Sequence, residues 1–410
     1  MRVGTGGAAA HLSYCTNVHA GTTWPEAFAA LAGHVPRVRD ATLDAPAPFG
    51  LGLRLSHEHL VALEAPGELD RFRDWLGEES LYAFTVNGFP YGAFHGVAVK
   101  ANVYRPDWTT PERLDYTRRL ATLLAGLDPA DGRATISTLP GTYAAWARAG
   151  TEEAIARGLV DAAVHCARLE RNTGTRVGIA IEPEPDCLFE TVHGLAAFFD
   201  GPLRANAALE RAARALGTTR SGAEQALARH LGACHDACHS AVEFEAPEAA
   251  LEVYAAAGIE VMKLQLSSAL KLARADDAAL AHLARFDEPV YLHQTVVREP
   301  CGRLRRHADL PEALGARASE DEQWRVHFHV PVFLESMERF GTTRAELAEL
   351  LDLQRERGVS THLEVETYTW DVLPAPYRDV PMHEAIAREL RWVRERLEPP
   401  AHGRTERYAA

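Results

Sequence analysis

The chain has 410 residues, 47 % hydrophobic and 24 % charged, and a net charge of −14 from 57 acidic against 43 basic residues. Such a composition supports a large buried core without long disordered segments, and its acidic surface repels a phosphate backbone, which excludes nucleic acid as an expected partner. The opening residues MRVGTGGAAAHLS contain no apolar leader and no run of about 18 apolar residues occurs, so a cytoplasmic protein with no membrane span is expected.

Strands are expected where short apolar or β-branched runs occur, at His11–His19, Phe49–Ser56, Leu81–Asn87, Ala134–Thr138, Val177–Glu182, Leu231–Asp236 and Val261–Gln265, then at Val290–Val296, Arg325–Val330 and His362–Tyr368. Helical periodicity fills the intervals, at Pro25–Leu31, Glu68–Trp75, Pro111–Leu127, Thr151–Arg171, Leu203–Arg229, Pro247–Ala257, Asp276–Arg285, Thr343–Arg357 and Met382–Leu397. This alternation marks a parallel α/β fold, and a (β/α)8 TIM barrel is expected, with residues 1–398 as one domain and 399–410 as a loose tail. Ten strand candidates exceed the eight a barrel needs. Residues 290–310 therefore read as an inserted hairpin, because Pro300-Cys301-Gly302 makes a turn between two extended runs. One further strand must lie outside the barrel, and the sequence leaves open which.

Parallel strands covered on both faces should be almost wholly apolar. Here polar residues gather at the C-terminal ends of the strand candidates: Asn17 and His19, Arg54 with His57 and His59, Asn87, Glu182 and Glu184, Asp236 and His239, Lys263 and Gln265, His327 and His329, Glu364 and Glu366. A barrel builds its active site on that rim. The segment HDACH, His235 to His239, places Asp236 at a strand end and His239 in the turn or helix that follows, so a carboxylate and an imidazole face one pocket. With Glu182 and Glu366 the set suits Mn, Mg, Fe or Zn better than a thiolate site would. The six cysteines are too scattered for a disulfide scaffold, and Cys234 and Cys238 have no second pair at zinc-finger spacing. Each piece also has a plain structural reading. Asp236 is a natural helix N-cap, His327 and His329 share a strand face as interior histidines do, and Glu364 and Glu366 could be edge charges. Carboxylates at several strand ends together are harder to explain that way.

The motifs IAIEPEP, HDACH and LEVETY resemble the xylose-isomerase-like TIM-barrel superfamily of sugar isomerases, ketose 3-epimerases and repair endonucleases. More closely, TNVHAG, TVNGFPYGAFHG, ISTLPG, EPEPDCLFET, DACHSAVEFE, KLQLSSAL, YLHQT and HFHVPVF resemble the metabolite-traffic EboE family. That family is tied to gene clusters with a UbiA-type prenyltransferase and a cyclase similar to dehydroquinate synthase, which implies a small polar metabolite as ligand and other proteins of such a cluster as partners. The resemblance implies one divalent ion held by Glu182, Asp236 and Glu366, with His239 touching substrate. Where the epimerases carry a ligand histidine on the next strand, this chain has Gln265. Either Gln265 ligates through its oxygen, or His327 or His329 takes the position, imidazole being the better ligand.

Such a site supports proton transfer beside a carbonyl, with Glu182 and Glu366 as the acid–base pair. Lys263 and Arg54 would join His239 in binding hydroxyl or phosphate groups, and Asn87 with His95 would close the far side. The leading expectation is an isomerase or epimerase of a sugar, cyclitol or related polyol in secondary-metabolite processing. Two alternatives stand beside it: a metabolite carrier without chemistry, and a metal-dependent hydrolase in which His19, His57, His59 and His327 hold further ions.

Overall fold

The computed structural model describes residues 1–94, 99–374 and 380–398. Eight strands run parallel: β1 (Ala10–Tyr14), β2 (Phe49–Arg54), β3 (Leu81–Asn87), β4 (Arg133–Thr138), β5 (Arg176–Ile181), β6 (Leu231–Asp236), β7 (Val261–Leu266) and β8 (His362–Val365). Each pairs with its neighbour in chain order, and β8 returns to β1. A parallel bridge between Cys15 and Gly52 joins β1 to β2, so the ring closes. A short strand, Arg2–Val3, lies antiparallel on β1 and adds a ninth member to the sheet.

The ring of helices follows from local sequence. The helix Trp24–Thr42 begins at a Thr23/Glu26 capping box with Pro25 in its first turn. The helix Thr151–Thr173 ends at Gly174, whose φ of 80° is left-handed. The single helix expected at Leu203–Arg229 is two helices, Asn206–Leu216 and Arg220–His230. Gly217 stops the first in a left-handed cap and the Thr219 side chain starts the second by accepting the Gly222 N–H. Among the described residues no helix is long and apolar enough to cross a membrane.

Both surplus strand candidates lie outside the barrel, in one insert between β7 and β8. Six short strands form a second, mixed-order antiparallel sheet there: Leu304–His307, Thr295–Arg298, Gln323–Val326, Leu270–Leu272, Phe340–Thr342 and Ser336–Met337, in that spatial order. The hairpin expected within 290–310 is present as Thr295–Arg298 paired with Leu304–His307, but it is one edge of this larger sheet. The strand expected at Arg325–Val330 stops at Val326, and the residues after it leave the sheet. The tail 399–410 falls outside the described residues.

The barrel interior is polar. Lys263 Nζ lies 2.6 Å from Glu364 Oε1 and 3.2 Å from Ser137 Oγ, with both charged side chains wholly buried. Gln265 Nε2 donates to the same Glu364 oxygen at 3.1 Å. Space for Glu364 comes from Gly52: a Cβ on that residue would sit 1.5 Å from Glu364 Oε2. Near the mouth, Glu389 on the last helix, Met382–Leu397, accepts from the Thr367 hydroxyl at 2.6 Å and the Val332 N–H at 3.1 Å, tying the insert and the exit of β8 to that helix.

Gly52→Ala is therefore expected to cost roughly 2–3 kcal/mol or more in urea unfolding, because backbone and a buried charge pair must shift together. Burial pushes the Glu389 carboxyl from 4.5 up to about 7. Within that window the folded chain keeps a proton the unfolded chain has lost, so its stabilising effect is complete below the unfolded pKa and is lost as pH rises through the folded one. Glu389→Gln keeps an acceptor for both bonds, and should reduce the fall in unfolding free energy between pH 5 and pH 8 by on the order of 1–3 kcal/mol. Parallel pH profiles of the two proteins would contradict the assignment.

Candidate metal and active site

At the C-terminal mouth of the barrel, strands β5, β6 and β8 present Glu182, Asp236 and Glu366, while Gln265 on β7 lies beneath them against Glu364. Glu182 is the first residue past β5, its N–H bonded to the Thr138 carbonyl at 3.0 Å. Pro183 and Pro185 hold the next residues extended, and Glu182 and Glu184, two positions apart, both line the mouth. Asp236 ends β6 and caps the helix Ala237–Val242: its Oδ1 accepts from the N–H of Cys238 at 2.7 Å and of His239 at 3.0 Å, and from Ser267 Oγ at 2.6 Å. The capping and ligand readings of Asp236 are thus compatible, since its other oxygen, Oδ2, is buried without a hydrogen-bond partner. Glu366 Oε1 accepts from the amides of Asn17 and Asn87 at 2.6 and 2.8 Å.

Three imidazoles stand over these carboxylates. His239 Nδ1 lies 2.9 Å from the Pro183 carbonyl, His327 Nδ1 2.8 Å from Gln294 Oε1, and His329 Nδ1 2.8 Å from the Glu366 carbonyl. An oxygen acceptor at Nδ1 places the proton there and turns Nε2 toward the pocket. The residues bringing His327 and His329 directly follow the insert strand Gln323–Val326, so a segment outside the barrel completes its mouth.

The donor atoms of Glu182, Asp236 and Glu366 lie within 4.8 Å of one another, as do those of Asp236, His239 and His329, and those of Glu184, His239 and His327. Burial, then the negative charges of Asp236 and Glu366, raises the Glu182 carboxyl well above the ordinary range. Burial opposes ionisation of Asp236 too, but His239, His329 and the Ser267 hydroxyl outweigh it and hold this carboxyl low. Burial would lower His239, yet Asp236, Glu184 and Glu366 raise it. Burial and the neighbouring rings of His239, His329 and His293 push His327 well below its usual range, leaving a neutral imidazole. A bound cation would take the place of the proton on His239.

A pocket opens above this floor. Asn87, Glu182, His239, His327, His329 and Glu366 line it, with an apolar wall that includes Phe89, Phe94, Val103, Tyr291 and Tyr368. Of the residues expected to bind substrate, Lys263 lies below the mouth on Glu364. Arg54 is turned away: it donates to the Gly92 carbonyl and sits over the Phe94 ring at 5.9 Å. His95 falls outside the described residues. Gln265 is buried beneath the cluster with Oε1 lacking a hydrogen-bond partner. His19, His57 and His59, offered as further metal ligands, go elsewhere: His19 bonds Tyr14 and stacks on His34, His57 stacks on Tyr91, and His59 bonds the Thr22 carbonyl.

Asn17 and Glu184, expected at the rim without a role, both line the pocket, and so does Gln294, which the motifs do not mark. The Gln294 amide donates to Tyr104 Oη at 2.8 Å, and to Glu184 Oε1 and the Pro185 carbonyl at 3.2 Å, so its oxygen must face His327. The proline spacing around Glu184 was a usable signal; nothing local in YLHQT marks Gln294.

The residues fit a divalent cation. Glu182 Oε2, Glu184 Oε2, Asp236 Oδ2, His327 Nε2 and His329 Nε2 are all buried without hydrogen-bond partners, a costly arrangement for groups with no ligand to serve. Asp236→Asn retains the capping oxygen but loses the charge. It is expected to alter ion-free stability by no more than about 1 kcal/mol while reducing the rise in Tm that Mn²⁺ confers on the parent chain. An unchanged rise would count against Asp236 as a ligand.

No family model matches the chain and no curated protein matches it in sequence. Among solved structures it is similar to a xylose isomerase-like TIM barrel protein from Mycobacterium smegmatis in complex with magnesium, with TM-score 0.50, 11 % identity, and 95 % of this chain and 96 % of that one covered. It is also similar to a xylose isomerase domain protein from Planctomyces limnophilus, with TM-score 0.50, 14 % identity, and 94 % and 98 % covered. An IolI protein with a bound zinc atom gives TM-score 0.48 at 11 % identity over 94 % of this chain and 97 % of that one. At such identities the likeness shows the fold alone, an α/β TIM barrel.

Proposed function

We propose that the chain is a metal-dependent isomerase or epimerase acting beside a carbonyl of a sugar, cyclitol or related polyol. The observation that carries this reading is the placement of Glu182 and Glu366 on either side of Asp236, after β5 and β8, with all three sets of donor atoms within 4.8 Å. Oxygen and imidazole donors together suit Mn, Fe, Zn or Mg, and the similar Mycobacterium smegmatis protein was solved with magnesium. When bound, such an ion supplies a Lewis acid for a carbonyl and an adjacent hydroxyl oxygen.

The remaining work falls to the chain. Glu182 takes the proton from the carbon next to the carbonyl, and Glu366 returns one from the other side. The amides of Asn17 and Asn87 fix the Glu366 carboxylate, so that little reorientation is needed. Phe94, Tyr291 and Tyr368 pack against one another above the floor, a surface on which the C–H face of a ring can stack and from which water is excluded. A place in secondary-metabolite processing follows from the resemblance to the EboE family. The same apolar wall would also suit a carrier that holds a metabolite without changing it, and the test below separates the two. The dispersal of His19, His57 and His59 leaves the hydrolase alternative with fewer ligands.

In D2O, the metal-loaded protein is expected to exchange a substrate C–H proton for at least one member of a panel of ketoses, aldoses and cyclitols, followed by NMR. Glu182→Gln, compared at a metal content matched to the parent, should slow that exchange by roughly 10²-fold or more. Binding of a panel member without any exchange would leave the carrier as the surviving reading.

A further inference from the structure

The pocket changes character between its floor and its wall. The floor is polar, where Glu182, Glu184, His239, His327, His329 and Glu366 meet. The wall is hydrocarbon, built from Phe89, Pro90, Val99 and Val103 on the connection after β3 and from Tyr291 and Leu292 in the insert. We propose that the ligand is a polyol carrying an uncharged apolar substituent, an aryl or short alkyl group, with the polyol head on the floor and the substituent against this wall. This rests on the polyol reading above and names what the polyol carries.

Three observations carry it. The first is what the wall withholds. A free sugar bears an oxygen on every carbon, and a hydroxyl moved from water against hydrocarbon without a hydrogen bond costs free energy. The polar atoms that reach the wall are already committed within the protein. Lys100 Nζ lies 2.6 Å from Asp309 Oδ2, Tyr291 Oη donates to the Phe94 carbonyl at 3.3 Å, and Tyr104 Oη donates to Glu184 Oε1 at 2.8 Å.

The second is the kind of apolar surface. An aromatic face by itself also stacks on the C–H side of a sugar, whose hydroxyls stay bonded at the ring edge. Pro90, Val99, Val103 and Leu292 have no such face, and aliphatic groups reward only the removal of hydrocarbon from water. Phe94, Val99 and Tyr291 form a buried apolar cluster separate from the barrel core, with Val103 and Tyr368 packed on it. Val103, Leu292 and Tyr368 remain partly exposed, which is surface that a bound substituent covers. A second cavity shares Pro90, Val99 and Val103 with the first, so the hydrocarbon surface runs on past the pocket.

The third is charge. Among the described residues lining the pocket, Lys100 is the single lysine or arginine, and Asp309 already neutralises it. A phosphate or carboxylate lying against the wall would find no free side-chain cation, above a floor rich in carboxylates. The substituent is therefore neutral.

The experiment is isothermal titration calorimetry on the metal-loaded full chain. Glucose, fructose and myo-inositol are each titrated free, as phenyl and butyl glycosides or ethers, and as monophosphates, and phenol and butanol are titrated alone. For at least one head, the phenyl or butyl derivative is expected to bind roughly 10–100-fold more tightly than the free polyol and than phenol or butanol, while phosphate brings no gain. Val103→Asp and Leu292→Asp place a charge on the wall from two different segments. Each, shown folded by circular dichroism and compared at matched metal content, should bring the ratio of derivative to free-polyol affinity down to about one. Equal binding of free and derivatised polyols overturns the proposal, as do tighter binding of the phosphates, phenol binding as tightly as its polyol derivative, and no binding of any probe. A preference that survives in both folded variants overturns it too. Solvent deuterium exchange judges the isomerase reading separately. Exchange on free polyols without any gain from an apolar group keeps that reading and removes this one, and tight binding of the derivatives without exchange does the reverse.

Discussion

Four carboxylates, those of Glu182, Glu184, Asp236 and Glu366, are withdrawn from water at one end of the barrel, and much of the surrounding structure answers the charge they bring. Ionised groups in such a place cost several kcal/mol each unless partners replace their hydration. The partners here are one-sided. Asp236 has one oxygen held by two N–H groups and a hydroxyl, and Glu184 has one held by Tyr104 and Gln294, while the second oxygen of each lacks any bond. Anchoring one oxygen fixes the direction of the other, which is how a rigid scaffold aims a ligand.

Beneath the mouth, Lys263 and Glu364 form a neutral pair that is separate from this chemistry. Glu364 on β8 and Glu366 just past its end are two residues apart, yet the lower one meets a lysine and the upper one meets two asparagines. The difference is depth: inside the ring a carboxylate can be answered only by a buried cation, whereas at the rim neutral amides and a bound ion suffice. Gly52 makes the lower arrangement possible by vacating the volume that Glu364 fills.

The insert between β7 and β8 has a part beyond decoration. Its second sheet places His327, His329 and Gln294 over the barrel axis, and Glu389 fastens its exit to the last helix through the Val332 N–H. Where the epimerases that the sequence resembles carry a ligand histidine on the strand matching β7, the chain has Gln265, and His327 and His329 reach the mouth from the end of the insert strand Gln323–Val326.

The alternation of strands and helices, the eight-strand barrel and the rim placement of Glu182, Asp236 and Glu366 were legible in the sequence. Each depends on local regularities, a period of two along strands and turn residues at their ends, that need no knowledge of distant partners. The short motif HDACH likewise revealed a strand end, a cap and a histidine one helical turn on, because all three lie within a few bonds. The alternation set the 290–310 hairpin apart from the barrel, but the sequence could not decide which further candidate strand leaves it, and closure of the ring between Cys15 and Gly52 excludes the run that begins at Arg325. Nor could it show that Lys263 is spent on Glu364, about a hundred residues away, or that Gln294 orients His327. Those choices are made by three-dimensional proximity, where burial forces every charge and amide to find a partner from whatever strand the fold brings beside it.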